Sequence, residues 1–215
     1  MLSIPTPSVP NISNAYTAAL RQSITSHAGE THHPDTFASD IAALVDLRSQ
    51  LSSMETHQST LNTAYTYYAQ LVFVATKLPS HFPLAFPWSQ PMVSTSLLSL
   101  SGSTAAKSFV DSNSATTGSL WEKSEPFGLV YHGTAYVAHP LLLWERSNVL
   151  FAIAALLSQF GVQETRNDGN SIKRAVAYFQ TASAIFTHLE TQLLPSLQPQ
   201  LTLTSPSHNL SPSSI

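Results

Sequence analysis

This 215-residue sequence predicts a mainly α fold carrying one small antiparallel β element. Three observations predict it. Apolar residues recur at three- and four-residue steps over five separate segments, the period of a helix buried along one side. One short stretch, Leu84, Phe86 and Trp88, alternates instead with period two. Hydrophobic residues make up 43% of the chain, ample for a core, while the longest apolar run, Val149 to Leu157, is interrupted and falls far short of a membrane span.

The elements follow in order. Pro5, Pro7 and Pro10 make the opening residues extended chain or a short edge strand, because proline cannot donate to a ladder. Asn11 or Ser13 can cap a first helix carrying Ala15, Ala18, Ala19, Leu20 and Ile24 and ended by Gly29. His33-Pro34-Asp35 starts a second, with Pro near the first helical position and an acid complementing the helix dipole. Phe37, Ile41, Leu44, Leu47 and Leu51 form its stripe. In a third helix Leu61, Ala64, Tyr68, Leu71, Ala75 and Leu78 share a face, and Pro79 closes the pattern. Of the aromatic residues there, Tyr65 and Tyr68, with Val72, fit a core face better than a ligand cage.

Leu84 to Trp88 reads as a short strand, weakened by Pro87, with a second strand at Phe127 to His132 or Tyr136 to His139. Between the two, from Ser89 to about Gly118, Ser, Thr, Gly and Ala dominate without periodicity, as expected of a long mobile insertion. The clearest helical signal comes next. Val149, Ile153, Leu156 and Phe160 mark a helix from Glu145 to Phe160, ended by Gly161. After a polar turn around Asp168-Gly169, Ile172, Val176, Phe179, Ala182, Phe186, Leu189 and Leu193 mark another, ended by Pro195, so the pair should form an antiparallel hairpin. The Ser- and Pro-rich stretch from Leu201 to Ile215 is not expected to pack.

Composition excludes several classes of function. The net charge is -3 and the nine Lys and Arg residues form no cluster, so no footprint for nucleic acid is present. Cysteine is absent, which removes disulfides, thiolate metal sites and cysteine nucleophiles together. The nine histidines show no HExxH or comparable ligand spacing, and the glycosylation triplets Asn11-Ile12-Ser13 and Asn209-Leu210-Ser211 are matches expected by chance. No nucleophile elbow, phosphate-binding loop or dinucleotide fingerprint occurs. The expectation is a cytoplasmic, non-enzymatic protein without cofactor or metal, whose amphipathic helices leave grooves for a partner.

The segment Asn148-Val149-Leu150-Phe151-Ala152-Ile153-Ala154-Ala155-Leu156-Leu157-Ser158-Gln159, preceded by Glu145, resembles the signature helix of the BRO domain family, with Ala152 where that family commonly has Asn. The likeness continues in order through Asp168-Gly169, Ile172-Lys173 and the run from Ala177 to Leu189. Upstream, Leu61 to Leu78 followed by Phe82, Pro83, Phe86 and Trp88 resembles the family's tyrosine-rich helix and strand. Leu2 to Pro5 and His33 to Asp40 look most like the fungal PalA branch of ambient-pH regulators.

The resemblance implies a helical, tetratricopeptide-like solenoid with a small sheet near its start. Residues 1–200 would be the N-terminal part of a BRO domain interrupted at 89–136, and 201–215 a disordered tail. Such domains bind the C-terminal helix of the main ESCRT-III filament subunit and serve endosomal sorting and alkaline-pH signalling, without entering the membrane. Carried over residue by residue, the resemblance makes Lys173 the best candidate for partner binding and Asp168 the weaker one; Ala177 stands where some members have a second Lys. The later helices that complete the family's groove have no counterpart here. The expectations are therefore a shortened chain with weak or no ESCRT-III binding and a last hairpin that leaves apolar surface uncovered. A generic tetratricopeptide-type module is the alternative, since Ala182, Phe186 and Pro195 echo that repeat, although no second copy stands about 34 residues away.

Overall fold

Asn11 opens the first helix: its Oδ1 accepts from the Ser13 backbone N–H at 2.9 Å and the Ser13 hydroxyl at 2.7 Å. In the computed structural model, which describes residues 4–28, 33–89 and 136–203, helix α1 spans Ser13–Ala28. It turns Tyr16, Ala19 and Leu20 inward, below the buried Ile12 that precedes it, and leaves Ala15 and Ala18 outside. Tyr16, not the alanine row, is the anchor, because a large ring fills the space that small side chains cannot. Gly29 lies outside the described residues.

A single 3-10 turn, Pro34–Phe37, precedes α2 (Ala38–Gln50), which buries Ile41, Leu44, Val45 and Arg48. Helix α3 (Gln58–Ala75) starts at His57, whose side chain accepts from the Ser59 N–H. Its inner face is Leu61, Ala64, Tyr67 and Leu71. The expected core trio of Tyr65, Tyr68 and Val72 is thus corrected: Tyr65 is 41% and Val72 36% exposed, and Tyr68 is half-buried. Tyr67 lies three residues after Ala64 and four before Leu71, so it shares their line along the helix. It is wholly buried because its hydroxyl finds a buried acceptor.

Strands β1 (His81–Ser89) and β2 (Tyr136–Leu141) form a two-stranded antiparallel sheet, with Phe86 opposite His139 and Ser89 opposite Tyr136. The pairing is irregular between His81 and Phe86, a stretch that includes Pro83. The extended N-terminal segment joins the end of β1: the Ser89 N–H donates to the Ser8 carbonyl at 3.1 Å, and the Ser8 N–H donates to the Ser89 hydroxyl. Of the two places proposed for the second strand, Tyr136 to His139 lies in β2; the alternative, Phe127 to His132, and the stretch expected to be an insertion lie outside the described residues.

Helix α4 (Leu142–Gln163) packs against α3 and against α5 (Gly169–His188). Phe151 meets Phe186 edge-on at 5.7 Å, and Phe160 lies 5.6 Å from Tyr178, so α4 and α5 run antiparallel as the sequence predicted. Gly161 does not end α4. It lies within the helix, where the Phe179 ring comes so close that an added Cβ would be 2.8 Å from its nearest carbon. Nor does Pro195 end the last helix. A π turn over Leu189–Leu193 leads into α6 (Leu194–Leu203), so Pro195 falls in the first turn of a new helix, where its missing N–H costs little. Helix α6 therefore reaches three residues into the stretch from Leu201 that was expected not to pack; residues 204–215 lie outside the described part.

Candidate partner-binding face and the buried polar node

Two places concentrate polar chemistry, one sealed and one open. In the sealed one, Glu145 on α4 is wholly buried, and Arg48 on α2 is 2% exposed. Arg48 Nε donates to Glu145 Oε1 at 2.8 Å, the Tyr67 hydroxyl donates to the same oxygen at 2.9 Å, and the Trp88 indole N–H donates to Oε2. Arg48 also donates to the Pro10 carbonyl at 3.0 Å and lies over the Phe86 ring. The Tyr67 hydroxyl sits 3.4 Å from that of Tyr16, whose ring packs edge-on against Phe82 and Phe86.

Burial pushes the Tyr16 and Tyr67 hydroxyls above the usual tyrosine range, and the negative charge of Glu145 adds to the effect. For Arg48, burial disfavours the charge most strongly, but the adjacent Glu145 carboxylate together with Tyr67 and Tyr16 outweighs it and the pKa ends raised. Both tyrosines stay protonated and both carboxylate oxygens have donors. That is the arrangement of a structural tie joining the N-terminal segment, α2, α3, β1 and α4, rather than of a proton-transfer site. Sequence reading did not single out Arg48. Its signal was a charge seven residues after Ile41 and four after Leu44, inside an otherwise apolar stripe.

The open place is the outer side of α5. Ile172 and Val176 are each 47% exposed and Phe179 38%, while the residues turned inward are Ser171, Ala175 and Ala182. Lys173 is exposed, three residues from Val176, so its ammonium flanks the apolar row. Asp168 is the N-cap of the same helix. Its Oδ1 accepts from the Asn170 and Ser171 N–H groups, both at 2.7 Å, and the Ser171 hydroxyl donates back to the Asp168 carbonyl at 2.9 Å. Those backbone hydrogen bonds, that from Ser171 foremost, hold the Asp168 carboxyl below the usual range. The structure thus places both residues at the start of α5, Lys173 free at the surface and Asp168 already engaged in the cap. Across the turn, Arg174 holds Glu164 through two hydrogen bonds of 2.9 Å and lowers its pKa.

Among the described residues no three His, Asp or Glu side chains converge as a metal site, and no helix is long and apolar enough to cross a membrane.

The family model of the BRO1-like domain matches residues 1–109 and 121–215. The pH-response regulator protein palA/prr-1 of Neurospora crassa is 28% identical over 171 residues, which cover 77% of this chain and 15% of that protein. The palA/RIM20 regulator of Emericella nidulans is 26% identical over 189 residues, covering 86% of this chain and 18% of its own length. Programmed cell death 6-interacting protein of Xenopus laevis is 26% identical over 144 residues, 67% of this chain and 13% of that one. The chain therefore spans less than a fifth of the length of each of these relatives.

Among solved structures, the ALIX BRO1 CHMP4C complex matches with a TM-score of 0.64 and 20% identity over 91% of this chain and 46% of the other. ALIX in complex with a late domain matches with a TM-score of 0.58 and 18% identity, over 91% of this chain and 24% of the other. These two likenesses establish the helical fold with its small sheet. With the family model matched along nearly its whole length, the chain belongs to the BRO1-like domain family.

Proposed function

We propose that this chain works as a non-enzymatic adaptor, offering the outer face of α5 to the C-terminal helix of an ESCRT-III filament subunit, in endosomal sorting and ambient-pH signalling. The observation that carries the reading is the inversion of α5: its small residues pack inward, Ile172 and Val176 face outward beside Lys173, and Phe179, its ring against Gly161 of α4, keeps one edge exposed at the end of the row. An apolar row at three- and four-residue steps with a cation on its flank is what an amphipathic helix with an acidic edge would recognise. The likeness to palA regulators supports the pH-signalling role, and the likeness to a BRO1 domain in complex with CHMP4C supports the class of partner. Lys173 is assigned to the partner's acidic edge. Asp168 serves chiefly by fixing where α5 begins.

Titration of the whole chain with a labelled peptide of that C-terminal helix tests the reading. Saturable binding is expected, weaker than that of the ALIX BRO1 domain measured alongside, because the described face offers the stripe of one helix. Lys173→Glu should weaken it by about tenfold, the loss expected for one charge-assisted contact. Absence of saturation at millimolar peptide, or equal affinity of the variant, would refute the proposal.

A further inference from the structure

Glu145 and Arg146 are neighbours on α4 with opposite fates. The carboxylate of the first has donors on both oxygens, while Arg146 Nε is buried with no hydrogen-bond partner among the described residues. The guanidinium lies 5.9 Å from the centre of the Tyr68 ring on α3. Arg21, Arg48 and Arg174 each pair with a carboxylate, and among the described residues none pairs with Arg146. Nε itself is sealed from any partner, but the Arg146 side chain as a whole is only half-buried, so its charge reaches the surface without a described carboxylate beside it, and stacking on a tyrosine ring compensates that charge only in part.

We propose that Arg146, with Tyr65, Tyr68 and Val72, forms a second docking surface that takes an acidic amphipathic helix of a partner protein. Tyr65, Tyr68 and Val72 follow one edge of α3 at steps of three and four, with the first and last exposed and the middle one under the guanidinium. That edge is about 10 Å long from Tyr65 to Val72. A helix laid along it needs an apolar residue near each end and an acid between them, the i, i+3 or i+4, i+7 spacing of groove-bound helices.

Charge selects the acid. Helix α3 contains no charged residue, and the cation that follows it, Lys77, is occupied over Phe73. One guanidinium fork matches one carboxylate, whereas phosphate sites gather several cations. This surface uses α3 and α4, not the α5 face of the preceding section, and it stands or falls separately.

The test is selection of a displayed library of helical 14-residue peptides on the whole chain. Enriched peptides should carry Asp or Glu at one fixed position, flanked by apolar residues at helical spacing. A selected peptide resynthesised in solution should lose about tenfold or more in affinity for Arg146→Gln. It should lose affinity to a similar degree for Tyr65→Ser, an exposed position where folding is not at stake, and none for Lys173→Glu. Circular dichroism confirms that each variant is folded. No enrichment, enrichment without a fixed acid, or peptides that bind Tyr65→Ser as tightly as the wild type would overturn the assignment. Loss on Lys173→Glu alone would move the peptides to the α5 face and overturn it equally.

Discussion

Helices α4 and α5 lie side by side and pack by opposite rules. Helix α4 buries fourteen of its 22 residues, including Trp144, Val149, Ile153 and Leu156, and even takes a carboxylate inside. Helix α5 buries three of its 20, all small: Ser171, Ala175 and Ala182. Of its larger apolar residues, Ile172 and Val176 face outward, while Tyr178, Phe179 and Phe186 pack at the margin against α4. The difference teaches that an apolar stripe marks a face to be covered without saying what covers it. Small residues allow two helices to approach closely, and the contact they make can be the better packed one.

The largest effect should come from the sealed side. Glu145→Ala would leave the Arg48 guanidinium buried without its counter-ion and strip an acceptor from Tyr67 and Trp88. Breaking one partner out of a buried pair costs about 3–5 kcal/mol. A large fall in the urea midpoint, or loss of cooperative unfolding, is expected. Replacing both members together, Arg48→Met with Glu145→Leu, should recover much of the loss, because the desolvated charge is then gone. A single variant within about 1 kcal/mol of wild type would show that the pair is not what holds these elements together.

A sharper comparison sets two adjacent residues of α5 against each other. Ala175 is 4% exposed against its neighbours, so Ala175→Leu forces bulk into a close contact and should cost about 1–3 kcal/mol. Val176 is 47% exposed, and Val176→Ser should change stability by less than about 0.5 kcal/mol. Chemical denaturation of both variants decides it. If Val176→Ser is the more damaging, the stripe is buried in solution and the inward face of α5 has been misassigned.

Much of this architecture was legible in the sequence, and the failures share a cause. Five helical segments, the strand around Phe86 and the α4–α5 hairpin follow from the period of their apolar residues. The likeness at Asn148 to Gln159 placed the chain in its family before any coordinates. Periodicity misled where two faces of one helix were both apolar. On α3 the rows containing Tyr67 and Tyr65 differ by two residues; Tyr67 lies in line with Ala64 and Leu71, and the buried acceptor on Glu145 allows its hydroxyl inside. Stop signals misled where context overrode them. Gly161 serves close approach to Phe179, and Pro195 begins a turn of helix instead of ending one. Of the candidate site residues, Lys173 was reached through resemblance, and Arg146 was missed because one unpaired donor leaves no mark in a sequence.

The smallest expected effect concerns the start of α5, where the open face begins. The Asp168 carboxyl caps the helix through two backbone hydrogen bonds, which depress its pKa in the folded chain. A group whose folded pKa is lowered contributes stability above its unfolded pKa and loses that contribution as the pH falls through the folded value. Asp168→Ala should therefore lower the urea midpoint at neutral pH, and the gap to wild type should narrow on acidification through and below the ordinary aspartate range. Glu164 titrates in the same direction because Arg174 holds it, but it is present in both proteins and cancels to first order in their difference. Asp168→Asn separates capping from charge: asparagine caps nearly as well, so its midpoint should stay near wild type at neutral pH. A gap between Asp168→Ala and wild type that does not change with pH would mean that the carboxylate is not the group that fixes the first turn of α5.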